Sequence, residues 1–316
     1  MSSAKKNRKI RKRLLNIFIV ICFAASAILL YQAIMTKLDE DRNRETYGAI
    51  EEIFEQSILE NPPEEEPSPT ETTVPNVSPT IEPSPTESTA PLPEPTDNET
   101  SPEPSPPDKS EKNDTIPQLE PLDRSEVLAY FNDLLDVNED IRGYIKIPGT
   151  VISYPVVQGV DNDFYLERNI YGEKTISASI FMDYRNNPKE LDDNTIIYGH
   201  NLNSTMFNDL DYFVDEETSA EYLEAGGIFR MDTAYRVMSW EIFAAYVIDK
   251  DDFNYLITNF TSDAEKLAFI ERIYELNMID TGVTATMNDK ILTLSTCNHW
   301  YNDSRTVIHA RLVGSN

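Results

Sequence analysis

The longest apolar stretch lies near the N-terminus, where Leu14 to Ile34 form 21 residues without a charged side chain. A helix of that length rises about 1.5 Å per residue and crosses a hydrocarbon core of about 30 Å. Residues 1–13 hold seven Lys or Arg and no acid. This asymmetry predicts a cytoplasmic basic tail at 1–13, a transmembrane anchor at 14–34 and an exported remainder. A cleaved signal peptide is the alternative, but the run is long for one and no small-x-small cleavage site follows it.

Residues 35–60 continue with a helical pattern, in which Tyr47, Ile50, Phe54 and Ile58 recur on one face among charged residues. Such spacing predicts a juxtamembrane helix. Its apolar face is expected to lie on the bilayer or to pack weakly against a second copy of itself. Nothing in this helix suggests catalysis.

The segment 61–122 is rich in Pro, Ser, Thr and Glu and holds 17 of the chain's 20 prolines. Near-repeats such as SPT and EPSP cannot bury a core, and their prolines favour extended conformations. The composition predicts a disordered stalk, which an external protease is expected to cut with release of a soluble domain. The globular domain is expected over 123–316.

Within 123–316 the pattern changes from one predicted helix, capped by Ser125, to short strand-like runs separated by turn residues. Two longer helical patterns, roughly 204–223 and 262–277, interrupt these runs. Strands so short and numerous, with few helical crossovers, predict a mainly β domain, either a largely antiparallel barrel or a sandwich. The predicted strands cover 144–147, 151–157, 178–184, 194–200, 228–231, 235–248, 290–296 and 305–313.

The charge and the cysteine content narrow the function further. The chain has 27 Lys and Arg against 55 Asp and Glu, a net charge of −28, which excludes the basic footprint of a nucleic-acid-binding protein. Its two cysteines are Cys22, inside the apolar run, and Cys297, near the C-terminus. No disulfide between them is expected, so the exported domain carries a single free thiol.

Three residues at predicted strand ends are candidates for chemistry. Cys297 ends one strand, Arg305 opens the next, and His200 follows Gly199 at the end of an earlier strand. A thiol, an imidazole for proton transfer and a guanidinium for a developing oxyanion together suit nucleophilic catalysis. His309 and His299 compete for the acid–base role, His309 from the same strand face as Arg305. A Cys–His–His zinc site has no ligand spacing in its favour, so no metal and no cofactor are expected.

Several segments together resemble the sortase family. Thr293 to Cys297 reads TLSTC and is followed by Arg305 and a β-run, and residues 194–201 read NTIIYGHN, similar to the segment with the sortase histidine. Further similarity points to class B, in GYIKIPGT at 143–150, YPVVQ at 154–158, DNDFYL at 161–166 and SIFMDYRNN at 179–187.

The resemblance implies a closed eight-stranded β-barrel with N-terminal helices and a long helix, 262–277, between strands six and seven. It implies Cys297 as nucleophile, His200 as acid–base and Arg305 as the residue that stabilises the oxyanion and positions substrate. It also implies substrate-binding roles for Asn162, Leu166, Tyr255, Leu256, Ser295 and Asn298. Asn298 departs from relatives that have an acid at this position, although its backbone N–H remains available to an oxyanion.

The implied activity is that of a membrane-anchored, extracellular cysteine transpeptidase of a Gram-positive cell envelope. Such an enzyme cleaves a C-terminal sorting signal of secreted proteins and transfers the acyl group to an amine of peptidoglycan or of a lipid-linked precursor. Two alternatives stay open, a pilin-polymerising sortase and a cysteine protease that uses water as acceptor. No lid segment is evident in the sequence, which favours cell-wall anchoring.

Overall fold

The computed structural model describes residues 2–63, 119–202, 204–249, 251–297 and 304–315, and for Cys297 it describes the backbone. Most of the predicted stalk, together with Asn298 and His299, lies outside these ranges. Five helices lie within them: α1 (Ser2–Glu60), α2 (Phe131–Val137), α3 (Leu210–Val214), α4 (Ser219–Gly226) and α5 (Asp263–Leu276).

Ten strands lie within the same ranges. They are β1 (Ile141–Lys146), β2 (Ser153–Gln158), β3 (Ile180–Met182), β4 (Asn194–Gly199), β5 (Asn201–Leu202), β6 (Thr205–Met206), β7 (Ile228–Thr233), β8 (Met238–Asp249), β9 (Ile291–Cys297) and β10 (Ser304–Ser315).

Eight of these described strands close a barrel in the order β1-β2-β3-β4-β9-β10-β8-β7, while β5 and β6 form a separate two-stranded hairpin. The β2–β3 and β4–β9 pairs are parallel, and the other pairings around the barrel are antiparallel. The fold-class prediction is therefore confirmed, and the sandwich alternative is excluded. Helix α5 lies between the sixth and seventh barrel strands in chain order, as predicted.

Alternation along β9 and β10 separates two hydrophobic cores. Leu292, Leu294 and Ile308 belong to the larger core, and Ile291 and Val307 belong to a second core on the other face. Side chains of α5 cover that second core: Phe269, Ile270 and Ile273 are all buried there. The helix begins at an N-cap, in which the Ser262 hydroxyl accepts a hydrogen bond from the Glu265 N–H at 3.3 Å.

The apolar face predicted for residues 35–60 packs against the β-domain, not against a bilayer or a second copy. Tyr47, Ile50 and Phe54 of α1 are buried in the larger core. The Phe54 ring stacks on Tyr144 of β1 with the centroids 3.7 Å apart and the planes 7° from parallel. Lys146, two residues along β1, donates hydrogen bonds to Glu51 and Glu55 of the helix. By length and composition α1 is also apolar enough to cross a membrane, with a mean hydropathy of 2.4 in its most apolar window.

Two helical predictions were wrong in their bounds. The Ser125 hydroxyl donates to Asp123 at 2.7 Å instead of capping a helix, and α2 begins only at Phe131. The pattern over 204–223 is broken because Met206 has a φ of 55° and pairs within the β5–β6 hairpin. Two short helices, α3 and α4, lie in the remainder of that segment, and α4 extends beyond it to Gly226.

Candidate active site

Three neighbouring strands of the barrel end at one rim. β4 and β9 run parallel with Gly199 opposite Thr296, and β10 returns antiparallel to β9 with Arg305 opposite Cys297. His200 follows Gly199 directly, so its backbone leaves β4 where β9 ends. The register thus brings together the three residues predicted for chemistry, although they are up to 105 positions apart in the sequence.

The turn that carries His200 depends on the absence of a side chain at Gly199. A Cβ atom at Gly199 would collide with the Ile180 side chain and would come within 2.8 Å of the Phe207 ring. The Phe207 N–H donates to the His200 carbonyl at 2.9 Å, which fixes the backbone at the strand end. This close packing explains why glycine precedes the histidine.

The His200 ring is partly exposed and its Nε2 atom lies 2.7 Å from the Leu166 carbonyl oxygen. Because a carbonyl oxygen only accepts, Nε2 carries the hydrogen in this bond. In the neutral ring Nδ1 is then the nitrogen that takes up a proton. The contact also ties the predicted acid–base residue to Leu166, one of the predicted substrate-binding residues.

Arg305 is the second residue of β10, and its side chain is partly buried. Its Nη1 atom donates to the Ser304 carbonyl at 2.9 Å, and Ser304 itself is buried. The guanidinium lines the same cleft as His200. One donor is engaged with the backbone of its own strand, which restricts the position of the planar group.

The cleft at this rim has a volume of about 310 Å³. Among the predicted site residues, His200, Arg305 and all the predicted substrate-binding residues except Asn298 line it, while Asn298 lies outside the described residues. The sequence analysis missed further lining residues, namely Asp163, Phe181, Tyr198, Gly199 and Thr296. Most of these are chain neighbours of predicted residues, so adjacency to the motifs was the signal available.

Asp183 is a residue beside the cleft whose role the sequence did not indicate. It is buried and accepts hydrogen bonds from the Asn162 amide, from the Tyr198 hydroxyl and from Nε and Nη2 of Arg185. Burial pushes the pKa of Asp183 upward, but the bonds from Arg185, Tyr198 and Asn162 outweigh it and leave the pKa lowered. The ionised carboxylate therefore fixes the Asn162 amide, whose Oδ1 atom accepts from the Tyr184 N–H.

One wall of the cleft is the segment 253–258, and it is held from three sides. The Tyr255 hydroxyl lies 3.0 Å from the Ser295 hydroxyl on β9. Arg185 donates to the Leu256 carbonyl at 3.0 Å. The buried Asn194 amide donates to the Ile257 carbonyl at 2.9 Å and to the Tyr255 carbonyl at 3.3 Å. These contacts hold Tyr255 and Leu256 in place as one wall of the cleft.

His309 does not line the cleft, in contrast to the expectation for its strand face. It is fully buried, with Nδ1 at 2.9 Å from the Thr293 hydroxyl and Nε2 at 2.9 Å from the Tyr246 hydroxyl. Thr293 donates in turn to Asn194 Oδ1 at 2.6 Å. Because that proton is committed, His309 Nδ1 is the donor to Thr293 and Nε2 accepts from Tyr246. Burial lowers the pKa of His309 to about 3, so the ring is neutral at physiological pH. It supports Asn194 through the Thr293 hydroxyl.

Comparisons with known proteins agree with this geometry. The family model for the sortase domain matches residues 145–313. The chain belongs to the sortase family.

Within the described ranges no group of three or more His, Cys, Asp or Glu side chains is arranged to hold a metal ion.

The relatives place this sortase in class B. It is 37% identical over 191 residues to sortase B of Listeria monocytogenes, covering 60% of this chain and 76% of that protein. It is 35% identical over 190 residues to sortase B of Staphylococcus aureus, covering 59% and 76%. The structure of a Staphylococcus aureus sortase B–substrate complex superposes with a TM-score of 0.62 at 25% identity, covering 87% of this chain and 98% of that one. The protein is therefore a transpeptidase of the sortase type.

Proposed function

We propose that this protein is a membrane-anchored, extracellular cysteine transpeptidase that acts on the C-terminal sorting signal of secreted proteins. Cys297 is the nucleophile, His200 the acid–base and Arg305 the oxyanion-stabilising and positioning residue. The observation that carries the proposal is the register of β4, β9 and β10. Arg305 pairs with Cys297, and His200 directly follows Gly199, which pairs with Thr296. Residues directly opposite in an antiparallel pair share a face of the sheet.

The reaction has two acyl-transfer steps. The Cys297 thiolate attacks the carbonyl carbon of the scissile peptide bond, and Arg305 donates to the oxyanion that develops there. Protonated His200 delivers its proton to the leaving amine as the C–N bond breaks, which leaves a thioester on Cys297. A second amine then attacks the thioester and loses a proton to His200, and the C–S bond breaks to release the Cys297 thiolate, which restores the starting state of both residues.

The sorting signal occupies the cleft between the β2–β3 connection and the segment 253–258. Asn162 and Leu166 contact it from one side, Tyr255 and Leu256 from the other, and Ser295 from the strand between them. Asn162 is oriented by Asp183, and Leu256 is held through its carbonyl by Arg185. The Asn298 backbone N–H contributes to the oxyanion site. The similar structure from Staphylococcus aureus is a sortase B–substrate complex, and this similarity supports a peptide-binding role for the cleft.

The anchor is the N-terminal part of α1, with 1–13 in the cytoplasm, 14–34 in the membrane and the catalytic domain outside. The seven cations before the apolar run support this topology. Secreted proteins emerge from the same membrane, so an enzyme fixed there meets its substrate as it arrives. The accepting amine belongs to peptidoglycan or to a lipid-linked precursor.

The test uses the full chain, a library of sorting-signal peptides and an amine acceptor, with products analysed by mass spectrometry. Cys297→Ala should abolish peptide cleavage, acyl transfer and covalent adduct formation. Cys22→Ala, which changes the other thiol within the anchor, should leave all three intact. Turnover by Cys297→Ala near the wild-type rate would refute the nucleophile assignment. Hydrolysis alone in excess amine would identify a protease, and transfer only to a pilin lysine would identify a polymerising enzyme.

A further inference from the structure

Helix α1 passes without interruption from the apolar run into the catalytic domain. The run ends at Ile34, and Asp39 lies five residues further along the same helix. At about 1.5 Å per residue these positions are about 7.5 Å apart along the axis. The headgroup layer adds roughly 5–8 Å beyond the hydrocarbon core on each side. If Ile34 marks the edge of the core, Asp39 stands at the outer edge of the headgroups.

The catalytic domain is fastened to the helix at that level. The Asp39 carboxylate accepts hydrogen bonds from the N–H groups of Ile176 and Ser177, at 3.1 and 3.2 Å, and from the Ser177 hydroxyl at 3.3 Å. Further along α1, the Tyr47 hydroxyl donates to the Ala178 carbonyl at 3.2 Å. Both contacts hold the end of the β2–β3 connection alongside the helix, so residues 174–176 lie at the membrane-facing end of the domain.

The side chains at this end suit a lipid–water interface. Met35, Leu38 and Ile176 line one groove of about 490 Å³, and Ile176 is 52% exposed although it is large and apolar. Arg42 and Lys174 line the same groove and are also exposed, while its two carboxylates are engaged, Asp39 with the loop N–H groups and Glu167 with Lys174 at 3.4 Å. Apolar side chains beside cations with long aliphatic stems are the composition favoured at membrane interfaces.

We infer that Met35, Leu38 and Ile176, flanked by Arg42 and Lys174, form a lipid-docking surface that rests on the phospholipid headgroup layer. This inference rests on the proposed membrane anchor. The membrane is the partner of this surface, because the surface begins on the first turn of α1 after the predicted transmembrane run. Burial of Ile176 in the interface removes an exposed apolar side chain from water.

The docking surface also has a consequence for the active site. The connection that carries Ile176 carries Asn162 and Leu166 at its other end, where they line the cleft. Helix α1 and the docking surface therefore hold the cleft at a fixed height above the bilayer. In this arrangement the segment 61–122 does not set the distance between the membrane and the site.

The test places tryptophan probes in the full chain and reconstitutes it in phosphatidylcholine–phosphatidylglycerol vesicles with brominated or ordinary acyl chains. Ile176→Trp should lose most of its added emission in brominated vesicles, after subtraction of the wild-type signal. Lys174→Trp on the same loop is the second probe, in case the first variant folds poorly. The control is Ile228→Trp, 58% exposed in the wild type and beside Leu59 near the opposite end of α1.

Vesicle flotation separates the two proposals. A chain that floats with the vesicles while its Ile176 and Lys174 probes are quenched no more than Ile228→Trp would overturn the docking surface and leave the anchor standing. A chain that does not float would overturn the anchor, and the docking surface with it. Flotation with selective quenching at positions 174 and 176 is the expected result.

Discussion

Cys297 and Arg305 are register partners in the antiparallel pairing of β9 and β10. The pairing arises because β10 begins seven residues after the cysteine, at Ser304, and runs antiparallel along β9. It fixes the backbone of the proposed nucleophile opposite Arg305, the only Lys or Arg among the described residues that line the cleft. The relationship raises the question of whether Arg305 acts through its charge or through the directed donors of its planar group.

Arg305→Lys distinguishes these two roles. We expect turnover to fall by about 10²–10³, the typical cost of losing one oxyanion donor, because lysine keeps the charge and loses the planar fork. The rate at which iodoacetamide alkylates Cys297 should change little, since the local charge is preserved. Arg311→Lys is the matched control on the same strand, where the arginine binds Glu241 instead. Near-normal transpeptidation by Arg305→Lys would show that Arg305 acts through its charge alone.

Asn194→Ala should loosen the cleft wall. The substitution removes the donors to the Tyr255 and Ile257 carbonyls and the acceptor for Thr293. We expect KM for the sorting peptide to rise more than kcat falls, with a loss of about 1–3 kcal/mol in unfolding free energy from the buried groups left unpaired. The measurement is steady-state kinetics together with urea unfolding. The exposed Asn259, which bonds to Asp192 beside the same segment, is the control, and equal effects from both alanine variants would contradict this role.

Phe54→Ala should destabilise the catalytic domain although the residue lies outside the matched sortase segment. The ring is buried and stacks on Tyr144, with further edge contacts to Tyr130 and Phe131. We expect a loss of about 3–5 kcal/mol in unfolding free energy, as for other buried phenylalanines. Leu59→Ala, on the same helix but 82% exposed, should cost little. The measurement is urea unfolding of the full chain in detergent, and similar midpoints for both variants would show that α1 does not stabilise the barrel.

Proteolysis within 64–118 should leave the catalytic domain on the membrane, contrary to the expectation from the sequence. Helix α1 stays attached to the barrel through Tyr47, Ile50 and Phe54 and through the bond from Ser57 to Asp133. After a cut, the C-terminal fragment that contains residues 119–316 should sediment with vesicles. It should leave them only when urea is added. Quantitative release without denaturant would mean that the helix contacts are too weak to hold the domain.

His309 should make stability depend on pH between about 3 and 6.5. Its pKa is about 3 in the folded protein and about 6.5 when unfolded, so the unfolded chain binds one more proton in this window. The contribution is complete above pH 6.5 and is lost as the pH falls toward the folded pKa. The expected slope is about 1.4 kcal/mol per pH unit. His309→Gln should flatten the profile measured by urea unfolding, and an unchanged slope in that variant would exclude the imidazole as its source.

Local patterns in the sequence were sufficient to predict the strand ends at which His200, Cys297 and Arg305 lie. Strands end at Gly199 and at Cys297, and another is predicted to begin at Arg305. Each of these strand ends is marked by turn residues only a few positions away in the sequence. Because side chains alternate along a strand, the strand prediction also places Ser295 on the same face as Cys297. The transmembrane prediction likewise needed only the length and charge asymmetry of the first 34 residues.

The tertiary structure decided what those patterns contact. Helical spacing showed that Tyr47, Ile50 and Phe54 form an apolar face, but hydrophobic burial is non-directional, so the pattern carries no information about its partner. The support of the cleft by Asn194 depends on contacts with residues 61 to 99 positions away. Such contacts form only when the barrel closes and brings distant strands together, and for that reason no local pattern in the sequence predicted them.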